Sequence, residues 1–356
     1  MTSDFKCGVI SGKNYLKLLD KSRAEKYALP AVNVISTSTV NAALEAAAKV
    51  GSDIIIQVSN GGAEFFAGKG APDSFKAKVQ GAVSFAMHTK LMAKLYGVGV
   101  VLHTDHANRK LLPWIDALLD EGEAYYKQHG EPLFSSHMLD LSEEPLEENV
   151  ATCRKYLERM SKIDMSLEIE LGITGGEEDG VGSDDVDDAR LYTQPADVLY
   201  AYEQLNNLGH FTVAASFGNV HGVYKPGNVK LTPVILKNSQ EHVAAIHGLK
   251  DNPLSLVFHG GSGSSQQDIR DAIDYGVFKM NIDTDTQFAF TRPVYDYVMK
   301  FKDRLYRQIG SDIDPEVLNK KVIDPRQWSR AGEVQFRDRL IQAYEDLKGK
   351  GKTICG

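Results

Sequence analysis

Cysteine is scarce in this chain: Cys7, Cys153 and Cys355 are the only three in 356 residues, and no two form a Cys-x-x-Cys pair. An odd, widely spaced set argues against a disulfide framework and against a thiolate zinc knot, and it fits a reduced compartment. Any metal must then be held by histidine and carboxylate. Long hydrophobic runs are missing too. No apolar stretch reaches the roughly 20 residues that span a bilayer. The segment Met1–Leu19 is mixed polar, without the apolar core of a signal peptide. The cytoplasm is therefore the expected location, with no membrane partner. Excess basic charge is absent: the net charge is −8, whereas a nucleic-acid footprint needs a basic face. An anionic substrate is not excluded, because local fields and backbone donors decide that. Hydrophobic residues at 42% and charged residues at 25% describe an ordinary globular chain.

What is present is a recurring unit, a short strand-like run followed by a helical pattern. The runs are 31–35, 53–58, 98–103, 133–139, 165–170, 211–217, 254–259 and 277–282. They are rich in Val and Ile and nearly continuous in apolar character, as parallel strands covered on both faces are. Ser135, Ser136 and His137 interrupt the fourth. Helical patterns fill the gaps at 39–50, 81–95, 111–122, 146–162, 195–205, 234–247 and 265–275. The first ends at Gly51, a natural helix terminator, and the last follows capping serines. Strand and helix alternating eight times predict an α/β fold, a TIM (β/α)8 barrel spanning about residues 27–285. A doubly wound open sheet is the alternative. Residues 286–356 exceed what one barrel helix needs and predict a C-terminal helical extension of a single domain 1–356. The Gly- and acid-rich stretch 175–188 reads as an exposed loop.

Barrel active sites lie at the C-terminal ends of the strands, and polar residues collect there in this sequence. In chain order they are Asn33, Ser59, the His103-Thr-Asp105-His106 segment, Asp140, Glu168-x-Glu170, the Asn219-Val220-His221-Gly222 segment, His259 with Gly260, Gly261 and Ser262, and Asn281-x-Asp283-Thr284. His106, His221 and His259 stand at or just past the ends of the third, sixth and seventh runs. Three neutral imidazoles at one mouth make an open catalytic metal site; any one alone is more simply a hydrogen-bonded histidine. His103 points away by strand alternation if His106 points in. Glycines before a helix, followed by Asn281, Asp283 and Thr284 after the last strand, suit a phosphate. Asp105, beside a candidate ligand, has the chemistry to move a proton, and Glu178 in the acidic loop is a candidate base. Asp140, Glu168 and Glu170 are candidates for a second cation. Lys279 is the one strand-end lysine open to Schiff-base chemistry.

The segments HTDHANRKLLPWID, LFSSHMLDLSEE, LEIELGITGGEEDGVG, ASFGNVHGVYKPGNVKL, VFHGGSGSS and KMNIDTDTQ resemble the class II fructose-bisphosphate aldolases, in particular the long subgroup of yeasts and many bacteria. The resemblance runs from Tyr27 into the C-terminal helices. It implies a lyase of glycolysis and gluconeogenesis that cleaves fructose 1,6-bisphosphate into dihydroxyacetone phosphate and glyceraldehyde 3-phosphate through a zinc-stabilised enediolate. It implies His106, His221 and His259 as ligands of a catalytic Zn2+, with Asp140 and Glu170 at a second or alternate divalent position. Asp105 would be the proton donor and Glu178 the base. Gly222, Gly260, Gly261, Ser262, Asn281, Asp283 and Thr284 would hold one phosphate and its neighbouring oxygens, with Asn281 also acting in catalysis. Ser59 and Arg326 would contact the other phosphate, and Asn33 a carbonyl or hydroxyl. The resemblance further implies a homodimer and a monovalent activator, K+ or Na+, near Val220 and Gly222. The rival readings are a tagatose-1,6-bisphosphate aldolase, a metal-dependent hydrolase on the same barrel and a non-catalytic sugar-phosphate module. The hydrolase lacks a His-x-His pair after the first strand and has no use for two phosphate cradles.

Overall fold

The computed structural model describes residues 5–172, 192–219, 231–261 and 264–356, together with the backbone of 176–178 and 181–183. Eight parallel strands close on themselves: β1 (Leu29–Asn33), β2 (Ile54–Val58), β3 (Gly99–Thr104), β4 (Ser136–Leu139), β5 (Ser166–Leu171), β6 (Phe211–Ala215), β7 (Leu256–Phe258) and β8 (Val277–Ile282). Each pairs with the next, and β8 returns to β1 through Asn281 opposite Ala31. The closed barrel, not the open sheet, is the architecture. All eight expected strands are present, with ends shifted by a few residues. The polar interruption of β4 is resolved pairwise against β3: Ser136 Oγ is 2.7 Å from His103 Nδ1 and Thr104 Oγ1 is 2.8 Å from His137 Nδ1. These are partners that a single strand read alone cannot display.

The helices are α1 (Gly12–Glu25), α2 (Thr37–Val50), α3 (Asn60–Ala67), α4 (Ser74–Tyr96), α5 (Leu112–His129), α6 (Leu146–Met160), α7 (Pro195–Leu205), α8 (Val234–His247), α9 (Gln266–Asp274), α10 (Thr284–Lys300), α11 (Lys302–Leu305) and α12 (Pro325–Asp346). Local chemistry sets their ends. Ser36 and Thr39 form a reciprocal capping box at the start of α2, and Gly51 ends it in the left-handed conformation. Ser265 caps α9 by accepting from Asp268 N at 3.1 Å. At Gly81 a Cβ would lie 1.8 Å from the Ala63 carbonyl oxygen, so α4 crosses α3 in backbone contact that no other residue permits.

The two ends of the barrel differ. The floor, at the strands' N-terminal ends, is closed by the chain termini. A short strand, Gly8–Val9, pairs with β3, and α12 descends along α2 and α10 until Leu347 O accepts from Ala28 N at 3.0 Å. The C-terminal helices thus pack beside and beneath the barrel. Both termini meet there, and Cys7 and Cys355 form a disulfide with their Cα atoms 5.2 Å apart. This corrects the cysteine reading above: 348 residues of separation vanish once both ends reach one floor. Cys153 is the free, buried cysteine. No described helix is long and apolar enough to cross a membrane.

Candidate metal centre

Alternation along the strands sends one residue in two into the barrel, and here many of the inward ones are polar. Asn33 of β1, Gln57 of β2 and Asn281 of β8 gather around Asp105, while His103 of β3 and Lys279 of β8 meet Glu168 of β5 across the interior. Gln57 donates to Asn33 Oδ1 at 2.6 Å, and Asn33 Nδ2 donates to Asp105 Oδ2 at 2.8 Å. Asn281 Nδ2 reaches Asp105 Oδ1 at 3.4 Å. Both oxygens of Asp105 thus accept amide N–H groups, which is the bonding of an ionised carboxylate. His103 also lies inside, its Nε2 3.6 Å from Glu168 Oε2. The expectation that it points outward fails because β3 ends at Thr104, so strand alternation does not carry through to His106.

Just above this layer the donor atoms of His106, Glu170 and His259 lie within 4.8 Å of one another. His106 Nδ1 is 3.5 Å from Glu170 Oε2, which is 3.4 Å from His259 Nδ1. The imidazole rings meet edge-on, with centroids 4.7 Å apart. Asp140 joins the cluster, 3.4 Å from His106 Nδ1, and its other oxygen accepts from Ser142 Oγ at 2.7 Å. Asn219 Nδ2 donates to the His259 carbonyl at 3.0 Å, tying the end of β6 to the end of β7.

The electrostatics of the cluster call for a cation. Burial works against a charge on His259, yet its hydrogen bonds with Glu168 and Glu170 prevail and lift its pKa to about 9. Burial likewise opposes ionisation of Asp140, but His106 and Ser142 hold its carboxyl down at about 2. A field that keeps a proton on a buried imidazole favours a divalent ion at the same place. Two imidazoles and a carboxylate are the donor types of catalytic zinc sites. The residues present therefore fit a divalent metal.

The rim carries the remaining candidates. Ser59 caps α3, its Oγ accepting from Gly62 N at 3.1 Å. Gly260 adopts φ +60°, which favours glycine, and a Cβ on Gly261 would lie 2.7 Å from Met280 Cγ and displace that side chain. Asp283 and Thr284 stand where α10 begins, just past the end of β8. Arg326 starts α12 on the mouth side. Its side chain is exposed and paired with Asp324 Oδ2 at 2.6 Å, and among the described contacts it does not join the cluster. His221, Gly222, Ser262 and Val220 lie outside the described residues. Of Glu178 only the backbone is described, in a hairpin opposite Val181.

Two interior residues carry more than the strand-end reading assigned them. Lys279 Nζ is 2.7 and 2.8 Å from the two oxygens of Glu168, so this ammonium is committed to an ion pair rather than to Schiff-base chemistry. Glu168 Oε1 also lies 2.9 Å from His259 Nε2. The signal in the sequence was spacing: each stands two residues before an inward-facing site residue.

A closed (β/α)8 barrel with buried nitrogen and oxygen donors converging at its C-terminal mouth, beneath a glycine-lined rim, defines the class: barrel enzymes built around a metal centre. The model of the family "Fructose-bisphosphate aldolase class-II" matches residues 13–352. The chain belongs to the class II fructose-bisphosphate aldolase family, and it is an enzyme, a lyase. It is 56% identical over 344 residues to fructose-bisphosphate aldolase of Campylobacter jejuni, covering 96% of each chain. It is 55% identical over 345 residues to fructose-bisphosphate aldolase class 2 of Escherichia coli, again covering 96% of each. A crystal structure of the Campylobacter jejuni fructose-bisphosphate aldolase superposes with a TM-score of 0.89 at 54% identity, covering 98% of this chain and 97% of that one.

Proposed function

We propose that this chain reversibly cleaves fructose 1,6-bisphosphate to dihydroxyacetone phosphate and glyceraldehyde 3-phosphate, in the cytoplasm, in glycolysis and gluconeogenesis. The observation that carries the reading is the convergence of His106, Glu170 and His259 beside an amide-held Asp105. His106, His221 and His259 are the proposed ligands of Zn2+, and Asp140 and Glu170 serve a second or alternate divalent position. When bound, the ion supplies Lewis acidity toward the ketone and hydroxyl oxygens of the three-carbon ketose unit.

The chain's own residues do the rest. In the cleavage direction Asp105, resting as carboxylate, takes the proton of the hydroxyl beside the breaking bond; in condensation it returns that proton to the aldehyde oxygen. Asn281 holds Asp105 and donates to the oxygens on which charge develops. Glu178 removes the C3 proton of dihydroxyacetone phosphate. Gly222, Gly260, Gly261, Ser262, Asp283 and Thr284 hold its phosphate; Ser59 and Arg326 hold the other, and Asn33 orients a substrate oxygen. Two clamped phosphates keep the reacting carbons aligned and limit escape. A monovalent cation near Val220 and Gly222 completes the proposed set.

Residues 286–356 are proposed as an extension of one barrel domain (barrel 27–285) and as part of a homodimer interface. Phe288, Tyr295 and Met299 on α10 and Ile313 and Leu318 after it are exposed apolar residues that such a contact would cover.

The test is an assay of fructose 1,6-bisphosphate cleavage with chelator, with added zinc and with borohydride. Loss on chelation and recovery with zinc are expected. Covalent trapping by borohydride, or activity indifferent to the chelator, would refute the reading.

A further inference from the structure

One layer below the donor cluster, the barrel interior holds charges that the proposed chemistry leaves unused. Glu168 and Lys279 are each about 1% exposed. Lys279 grips both carboxylate oxygens, at 2.7 and 2.8 Å, which fixes the plane of the carboxylate across the barrel from β8 to β5. His103 approaches the same carboxylate from β3, at 3.6 Å. A buried ion pair seldom adds net stability over an apolar replacement, so packing alone gives little reason for this one.

Its geometry gives a better reason. Glu168 Oε1 is 2.9 Å from His259 Nε2. An ionised carboxylate only accepts, so Nε2 carries the hydrogen of that bond. The other ring nitrogen, Nδ1, is then the one turned toward Glu170 Oε2 at 3.4 Å, the same oxygen that lies 3.5 Å from His106 Nδ1. A hydrogen bond on the far nitrogen is how proteins set the tautomer and ring plane of a metal-binding histidine.

We propose that Glu168, held in place by Lys279, is a positioning residue that fixes His259 with Nδ1 facing the metal position. Lys279 thereby has a definite task as the partner that fixes the plane of this carboxylate deep in the barrel. Neither side chain touches substrate. The inference rests on the metal-centre reading above.

Two variants test it, with zinc affinity and stoichiometry as the readout, taken from competition with a chromogenic chelator. Glu168→Asp keeps the ion pair but withdraws the carboxylate by one methylene. Glu168→Gln combined with Lys279→Met removes both buried charges together, so no unpaired ammonium remains to unfold the chain. Both are expected to melt within a few degrees of the wild type and to bind zinc about 10- to 100-fold more weakly. If the pair were merely structural, the double variant with a native melting curve would regain wild-type affinity, and that result would overturn the proposal. A wild-type chain that takes up no stoichiometric zinc would sink the metal-centre reading itself. Tight wild-type binding matched by both variants sinks only the role of Glu168.

Discussion

The floor of this barrel buries an aspartate and the mouth holds another that is only partly exposed, and the two are driven in opposite directions. Asp53, at the floor, is held by Thr353 Oγ1 and the Ile354 amide, both at 2.7 Å. Burial nevertheless outweighs these bonds and raises its pKa. Asp140, at the mouth, is partly exposed and packs against His106, and its pKa falls to about 2. The difference lies in the partners. Neutral donors saturate a carboxylate without fully restoring what water gave it, whereas imidazoles pull it toward the charged form. The floor therefore closes on itself with its groups satisfied, while the mouth gathers acids and imidazoles around a single point.

Substitutions at the mouth should reduce turnover and metal binding, and substitutions at the floor should reduce only stability. The largest effect is expected for His106→Ala, with metal and activity lost together and kcat/KM down by about 10³-fold or more. Retained zinc stoichiometry in that variant would break the contrast. Asp105→Asn should keep the metal yet lower kcat by roughly 10²- to 10⁴-fold, as the loss of an acid–base group does; a matching fall in metal content would move Asp105 into the ligand set.

Next comes pH. The pKa of His259 is raised to about 9 in the metal-free fold, so its contribution is fully present below the unfolded value near 6.5. That contribution is lost as pH rises through 9. Metal-free protein should lose up to about 3 kcal/mol of stability across that window, read from denaturant melts in chelator. Zinc affinity should rise over the same window as the proton is released; a pH-independent affinity would contradict this. The smallest effect is expected at the floor, where Asp53→Ala should cost about 1–3 kcal/mol of stability with kcat/KM within about twofold of the wild type. A large loss of turnover there would erase the distinction.

Much of this was legible along the chain. Eight apolar runs and their helices announce the barrel, and the residues at or just past the end of each run name Asp105, His106, Asp140, His259 and Asn281, because barrel chemistry is confined to strand ends. The less legible parts depend on closure. Glu168 reads as a candidate cation ligand and Lys279 as a strand-end lysine until β5 faces β8 across the interior and the two pair with each other. His103 misleads because alternation stops where β3 does. Cys7 and Cys355 look unrelated until both termini reach the floor. Helices α1 and α3 were absent from the periodic pattern: α1 belongs to no strand–helix unit, and α3 is a short turn wound on the Ser59 cap. Arg326 shows the limit of motif reading, since its position on the mouth side follows only from the direction in which α12 descends.

The account stands on donors from separate strands sharing one ion. Crystals of the zinc-loaded protein, measured at the zinc absorption edge, test this most directly. The account predicts one strong anomalous peak within ligand distance of both His106 and His259 at the strands' C-terminal mouth. Zinc bound elsewhere, with those two imidazoles too far apart to reach it together, would contradict it.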